Sequence, residues 1–418
     1  MAMYAPSSQT AVRDIRRVIS PQPLDPGVAL LTGGFDKPYV FGLAMELTAK
    51  GMCLDVIGSD DVDTPEMHST PGLQFLNLQR GYTKDMSRLR KVKGVVAYYA
   101  RLIRYAASSD ARIFHILWNN KFQLLDRTLL MGYYKALGKK IVFTAHNVNA
   151  GKRDSNDSWL NRATLKSQYR TADHIFVHTQ KNKVELIEEF GVGERAVTVI
   201  PFGINNSLPN TELTSAEAKS QLSIGNGKKT ILFFGNIGPY KGLEFLVAAF
   251  QKIAARNAEY RLIIAGKLRG GSERYWSDIR EKMSEDASSD RIIQKIEYIP
   301  DEETELYFKA ADVLVLPYTE VSQSGVLFLG YNFGLPVVAS DVGSLRDDIV
   351  EGTTGFLCKP SDADDLARAI QKYFASDVYK QLGQRRRGIR DYAEERHSWN
   401  IVGEMTRTVY TELLQRKQ

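Results

Sequence analysis

The chain has 418 residues, 43% of them hydrophobic and 25% charged, which is too long for one hydrophobic core and predicts two domains of roughly 200 residues each. Lys and Arg number 55 against 49 Asp and Glu, a formal charge of +6. That suits anionic substrates or a lipid surface but is too weak for a nucleic-acid partner, and no aromatic-interleaved basic repeat or zinc-finger spacing supports one. No run of eighteen apolar residues occurs and the N-terminal stretch lacks an apolar signal core, so neither a membrane span nor secretion is indicated and a cytoplasmic protein is expected.

Residues 1–26 are polar, Pro-containing and aperiodic, the composition of a flexible arm. From Val28 onward short apolar runs alternate with helical stretches: VALLTGG, FGLAMELTAKG, CLDVIGS, each strand ending in Gly, Ser or Asp. This alternation predicts parallel βαβ units. The stretch Lys84 to Tyr105 follows, with Arg88, Arg90, Lys91, Lys93, Arg101 and Arg104 set among Val95, Val96, Tyr98, Tyr99, Leu102 and Ile103. Such a basic amphipathic helix with interfacial tyrosines would rest on anionic lipid; the other reading is a core-packing helix with a solvated basic face.

The series continues through ARIFHILW, the helix LLDRTLLMGYYKALG, the strand KIVFTAHN, DHIFVHT, the helix KNKVELIEEFG and AVTVIPFG, closing an N-terminal domain at 27–204. Polar and turn residues dominate 205–220, the expected linker. A second series then runs over 221–393: TILFFGNIG, KGLEFLVAAFQKIAAR, YRLIIAGK, a charged helix, IIQKIEYIP, DEETELYFKAA, DVLVLPYT and FGLPVVASDVG. The amphipathic end, 394–418, is expected to pack back across the interface. Two doubly wound sheets joined by a linker imply a cleft at the C-terminal ends of their strands.

Candidate site residues gather at those strand ends. Ser322, Gln323, Ser324 and Gly325 immediately precede the apolar run beginning at Val326, so free N–H groups would open a helix where phosphate binds. In FFGNIGPYKGLEFL, Gly235 and Gly238 permit close backbone approach, Gly242 opens a helix and Lys241 supplies a cation for a diphosphate. Gly33 and Gly34 would let the backbone approach a ligand, or simply turn strand into helix, and His146 ends a strand at the cleft mouth. Cys53 and Cys358 are far apart in apolar contexts and read as reduced thiols, and His174 and His178 share a strand-like run with no acidic third ligand. No metal site is expected.

Taken together, the loop LLTGGFDKPY, the motif TAHN, the strands TADHIFVHT and VIPFGIN, the loop FFGNIGPYKGLEFL and the block FGLPVVASDVG with EGTTGFL resemble, in order, the retaining family 4 glycosyltransferases. The resemblance implies an α/β fold of GT-B architecture, two Rossmann-like domains facing a central cleft. It implies transfer of a hexose from a nucleoside-diphosphate sugar to a hydroxyl of a glycan or lipid-linked saccharide, with retention, without a metal and with no cofactor beyond the donor substrate. His146 would contact the donor sugar, Lys241 the diphosphate, and Ile299 would seat the nucleobase. Two departures stand out. Asn236 occupies the place of a common phosphate-binding arginine, which Lys267 or Arg269 would replace. Val321 and Leu329 hold the two positions of the family's Glu-x7-Glu pair, with Glu320 one residue from the first; Glu320 is then the residue expected to reach the sugar. Two alternatives share this frame: a nucleotide-sugar epimerase or hydrolase, and a catalytically silent binding or scaffold subunit.

Overall fold

The computed structural model describes residues 27–34, 36–79, 87–120, 122–153, 157–204 and 208–415. The arm 1–26, residues 84–86 of the basic stretch and residues 205–207 of the expected linker lie outside them.

Strands β1 (Val28–Leu31), β2 (Leu54–Gly58), β3 (Leu73–Asn77), β4 (Ile113–Ile116), β5 (Lys140–Ala145), β6 (His174–Val177) and β7 (Val197–Val199) form a parallel sheet in the order β3-β2-β1-β4-β5-β6-β7. Strands β8 (Lys229–Phe234), β9 (Tyr260–Ala265), β10 (Ile292–Lys295), β11 (Val313–Leu316), β12 (Val337–Ser340) and β13 (Gly355–Cys358) form a second, in the order β10-β9-β8-β11-β12-β13. Every position of β1, β4, β11 and β12 is buried, as expected where helices cover both faces of a parallel sheet. The strand order reverses between β1 and β4 and between β8 and β11, and each reversal opens a crevice at the strand ends.

One face of the second sheet packs Leu246, Phe250, Ile370 and Tyr373; the other packs Phe308, Phe328 and Tyr331. In the first domain one face holds Phe114, Tyr134 and Tyr169. The opposite face is completed from the far end of the chain. Helix Trp399–Gln415 lies along helix Lys37–Ala49, and its Val402, Tyr410 and Leu413 join Leu30, Leu43 and Leu47 in one core. The preceding helix runs Leu382–His397, so the crossing falls at Ser398 rather than at 394.

Other differences from expectation have local causes. The linker segment contains the helix Ser215–Gln221, opened by a capping box between Thr214 and Glu217. Leu208 and Ala218 belong to the second domain's core, so much of this stretch is structured domain rather than free connection. Within the basic helix Arg88–Ser108, Tyr98 and Tyr99 are buried, donating to Asn120 Oδ1 at 2.5 Å and Asp126 Oδ1 at 2.9 Å. They anchor the helix to the core and are not interfacial. The helix expected over LLDRTLLMGYYKALG is interrupted by a π turn, Asp126–Leu130, which directs Asp126 toward those partners. Among the described residues no helix is long and apolar enough to cross a membrane.

Candidate active site

Each switch point carries a glycine-bearing loop. After β1, a Cβ at Gly33 would fall 2.8 Å from the Trp118 carbonyl oxygen, so the turns after β1 and β4 touch backbone to backbone. In the second domain that demand falls on Gly242, with φ +62° and a Cβ that would lie 2.0 Å from the Pro317 carbonyl oxygen. Gly238 has extended backbone at φ −168°, where any residue fits, and its Cβ would make only ordinary contacts. Close approach at this loop is therefore the work of Gly242 rather than Gly238. Gly235 does take a positive φ.

The close approach at Gly242 brings Lys241 against the end of β11. Lys241 is only 7% exposed; its Nζ donates to the Tyr318 hydroxyl at 2.5 Å and lies 3.8 Å from the centre of that ring. The same hydroxyl is 3.2 Å from Ser324 Oγ. Ser324 is the N-cap of helix Gly325–Asn332, yet no side chain caps that helix and no acidic residue occupies its first turn. A buried cation and an uncapped helix N-terminus thus stand side by side, two features that each favour an anion.

They border a cavity of about 290 Å³ between the domains. Tyr39, Asn147, Phe202 and Trp399 contribute from the first domain and its C-terminal helix, and Lys241, Gln323, Ser324, Gly325, Val326 and the apolar Val321 and Leu329 from the second. Gln323 Oε1 is buried there without a hydrogen-bond partner. An adjoining polar cavity of about 620 Å³ is lined by Asn147, Asn149, Lys152 and Lys181 on one side and Glu320, Ser322 and Ser344 on the other. Glu320 and Lys241 therefore line different cavities, with Val321 on the wall of both.

His146 stands just behind the cavity wall. Its ring stacks on Trp118 at 4.0 Å and 8°, meets Tyr39 edge-on at 4.7 Å, and its Nδ1 lies 3.0 Å from His178 Nε2. Burial, with His178 beside it, holds its imidazole well below the ordinary range. Its Nε2 is closed off from solvent and has no partner.

Several expected contacts are not brought into these cavities; Gly33, Gly34, Gly235 and Gly238 line neither. Asn236 is exposed and lines neither. Ile299, four residues past the end of β10, is buried in the second domain's core with Tyr307 and Phe308. Lys267 lies over the Tyr298 ring, whereas Arg269 lies over Tyr240, itself a cavity residue. The residues missed include the aromatic Tyr39, Phe202, Tyr318 and Trp399 and the polar Asn147, Lys152 and Lys181. Tyr318 lies two residues past the end of β11 at a switch point, a position that could have flagged it. Among the described residues no cluster of His, Cys, Asp and Glu is arranged to hold a metal, and Cys53 and Cys358 are free.

Two doubly wound parallel sheets with their switch points turned toward one cleft make the GT-B architecture. The fold is shared with sucrose-phosphate synthase (tll1590) from Thermosynechococcus elongatus, at a TM-score of 0.75 and 21% identity over 94% of this chain and 100% of that one. It is shared also with Anabaena Alr3699/HepE, solved in complex with UDP-glucose, at a TM-score of 0.71 and 15% identity over 92% and 99%. Residues 38–208 match the family described as Glycosyltransferase Family 4, and residues 228–376 the family described as Glycosyl transferases group 1, one match on each domain. The chain belongs to the family 4 (group 1) glycosyltransferases, and it is an enzyme of that class. It is 25% identical to a D-inositol 3-phosphate glycosyltransferase of Corynebacterium aurimucosum over 66% of each chain.

Proposed function

We propose that this glycosyltransferase moves a hexose from a nucleoside-diphosphate sugar to a hydroxyl of a glycan or lipid-linked saccharide, with retention of configuration and with the protein's own charges in place of a metal. The observation that carries this reading is Lys241, a cation held out of solvent against Tyr318 beside the uncapped start of helix Gly325–Asn332. A leaving diphosphate gains negative charge as the glycosidic bond breaks, and a fixed cation and helix dipole in a water-poor cavity stabilise it without reorganising. Retention follows the family's usual outcome. The UDP-glucose bound by the Anabaena structure makes uridine diphosphate the first nucleotide to try.

His146 and Tyr39 would border the sugar. With Leu329 in place of a carboxylate, the unpartnered Gln323 Oε1 is the acceptor best placed for a ribose hydroxyl. The polar cavity with Asn147, Lys152 and Lys181 would receive the acceptor, and Glu320 would meet the sugar from that side. Thermal stabilisation by a panel of nucleoside diphosphates and their sugars tests the reading, since a ligand of the native state raises its melting temperature. A shift with one nucleotide that disappears in Lys241→Ala supports it. No shift with any nucleotide overturns the assignment of the donor site to this cavity.

A second reading concerns where the enzyme works. Leu89, Val92 and Val96 on helix Arg88–Ser108 are 77%, 61% and 64% exposed, and Arg90 and Lys93 lie among them at the surface. Apolar and basic side chains mixed on one exposed helix suit the surface of an anionic bilayer, here the cytoplasmic leaflet. Flotation with anionic and with neutral vesicles tests this. Equal behaviour with both removes it.

A further inference from the structure

We infer that His178 is a positioning residue that fixes the tautomer of His146, leaving His146 Nε2 as a bare lone pair that selects donor sugars offering a hydroxyl proton at that point. The argument is one of proton bookkeeping. His178 Nδ1 lies 3.1 Å from the Ile200 carbonyl oxygen, and a carbonyl only accepts, so His178 Nδ1 carries a hydrogen. A neutral imidazole has one N–H. His178 Nε2 is then unprotonated, and the hydrogen in its 3.0 Å contact with His146 Nδ1 belongs to His146. That uses the single N–H of His146 as well, and Nε2 is left with a lone pair. Both rings are neutral because desolvation holds both imidazoles down, His178 to about 4 and His146 well below its ordinary range.

The consequence is chemical. His146 Nε2 has neither solvent nor a protein partner, and a buried acceptor left unpaired costs about 1–3 kcal/mol. Its ring neighbours Tyr39 and Phe202 and its chain neighbour Asn147 all line the donor cavity. A group entering beside them and donating O–H relieves that penalty. A carboxylate brings a second acceptor and is repelled, and a deoxy carbon leaves the nitrogen unpaired. The site therefore favours a neutral, hydroxylated hexose over a hexuronate or the analogue lacking that hydroxyl. The selectivity rests on the donor-site reading above; the tautomer does not.

Two measurements separate the parts. Long-range proton–nitrogen NMR of protein labelled with 15N-histidine reads tautomers in the unliganded enzyme, with His146→Gln and His178→Phe giving the assignments. We expect Nδ1–H on both rings, and in His178→Phe the fixed His146 tautomer gives way to exchange between the two. A His146 Nε2–H signal in the unsubstituted protein overturns the proposal whatever the activity. Kinetics with the nucleotide hexose, its singly deoxygenated analogues and its uronate should show at least about a tenfold loss of kcat/KM for one deoxy analogue and for the uronate, narrowed in His178→Phe. With the expected tautomer in place, equal use of all analogues overturns the selectivity. Failure to bind any nucleotide sugar would overturn the functional reading and leave the tautomer standing.

Discussion

The indole N–H of Trp399 donates to the carbonyl of Ile204 across 2.8 Å, and the amide of Ile204 donates to the carbonyl of His397 at 3.0 Å. The two segments that carry the chain between domains are thereby bound to each other. Trp399 fits because helix Lys37–Ala49 offers no side chain at Gly42, where a Cβ would lie 2.0 Å from the indole. Gly42→Ala should destabilise the protein by about 1–3 kcal/mol through this overpacking. Gly132→Ala, also in a helix but with open space around it, should stabilise by about 0.5–1 kcal/mol. Urea denaturation of both variants measures the difference.

Gly242→Ala combines a disfavoured backbone angle with a backbone clash against Pro317. The loop must move, and Lys241 moves with it. We expect kcat/KM to fall by about 100-fold or more, since small displacements of a charged group at the reacting centre have that effect. Steady-state kinetics alongside circular dichroism separates this from unfolding.

Replacing the cation itself should be as severe. Lys241→Met is expected to lower kcat/KM by about 10²–10³, and Lys241→Arg should not restore it, because the buried pocket beside Tyr318 suits a compact ammonium rather than a planar fork. Tyr318→Phe removes the hydroxyl that contacts both Lys241 Nζ and Ser324 Oγ, two hydrogen bonds worth about 1 kcal/mol each, and should cost up to roughly thirtyfold.

The substitute for the missing ribose carboxylate can be tested with the ligand as well as the protein. If Gln323 Oε1 accepts from a ribose hydroxyl, wild-type protein should bind the ribonucleotide about tenfold more tightly than its deoxyribose counterpart, and Gln323→Ala should erase the preference. Glu320→Gln should instead lower turnover and leave nucleotide affinity unchanged. Calorimetric titration reads the first pair and initial rates the second.

Asp348 and His397, 3.9 Å apart and both buried, predict opposing pH effects. Burial raises the Asp348 carboxyl to about 7 and lowers the His397 imidazole to about 4. Between about pH 4 and 7 folded Asp348 keeps a proton that the unfolded chain has released, so stability falls as pH rises. Between about pH 4 and 6.5 folded His397 lacks a proton that the unfolded chain holds, so stability rises with pH. Denaturation from pH 4 to 6.5 should therefore show stability rising more steeply with pH in Asp348→Asn than in the unsubstituted protein, and less steeply in His397→Gln.

The succession of strands and the glycine loop before helix Leu243–Ala254 were legible because they are local: β-branched runs ending in glycine, and Gly-Pro-Tyr-Lys-Gly ahead of an apolar helix. The helix in the linker was legible too, since Thr214 and Glu217 spell a capping box, but polar composition outweighed it. Tyr98 and Tyr99 could not be settled by pattern, because a basic helix with aromatic residues reads alike whether the rings face lipid or a partner such as Asp126. Contacts across great sequence distance were out of reach. Nothing near Gly42 announces Trp399, and the pairing of His146 with His178 depends on the neighbouring registers of β5 and β6. Glu320 and Lys241 line different cavities because the loops after β11 and β8 meet across the cleft, and no motif encodes that meeting.

The seating of helix Trp399–Gln415 in the first domain also bears on synthesis. Val402, Tyr410 and Leu413 cover residues that emerge from the ribosome at the outset, and the Tyr410 hydroxyl meets the buried His115 at 2.5 Å. The N-terminal half, made first, cannot close its own core when it emerges. The part of that core that Val402, Tyr410 and Leu413 fill stays open until the second domain has been translated and helix Trp399–Gln415 returns. The domain that begins folding first is the one that finishes last.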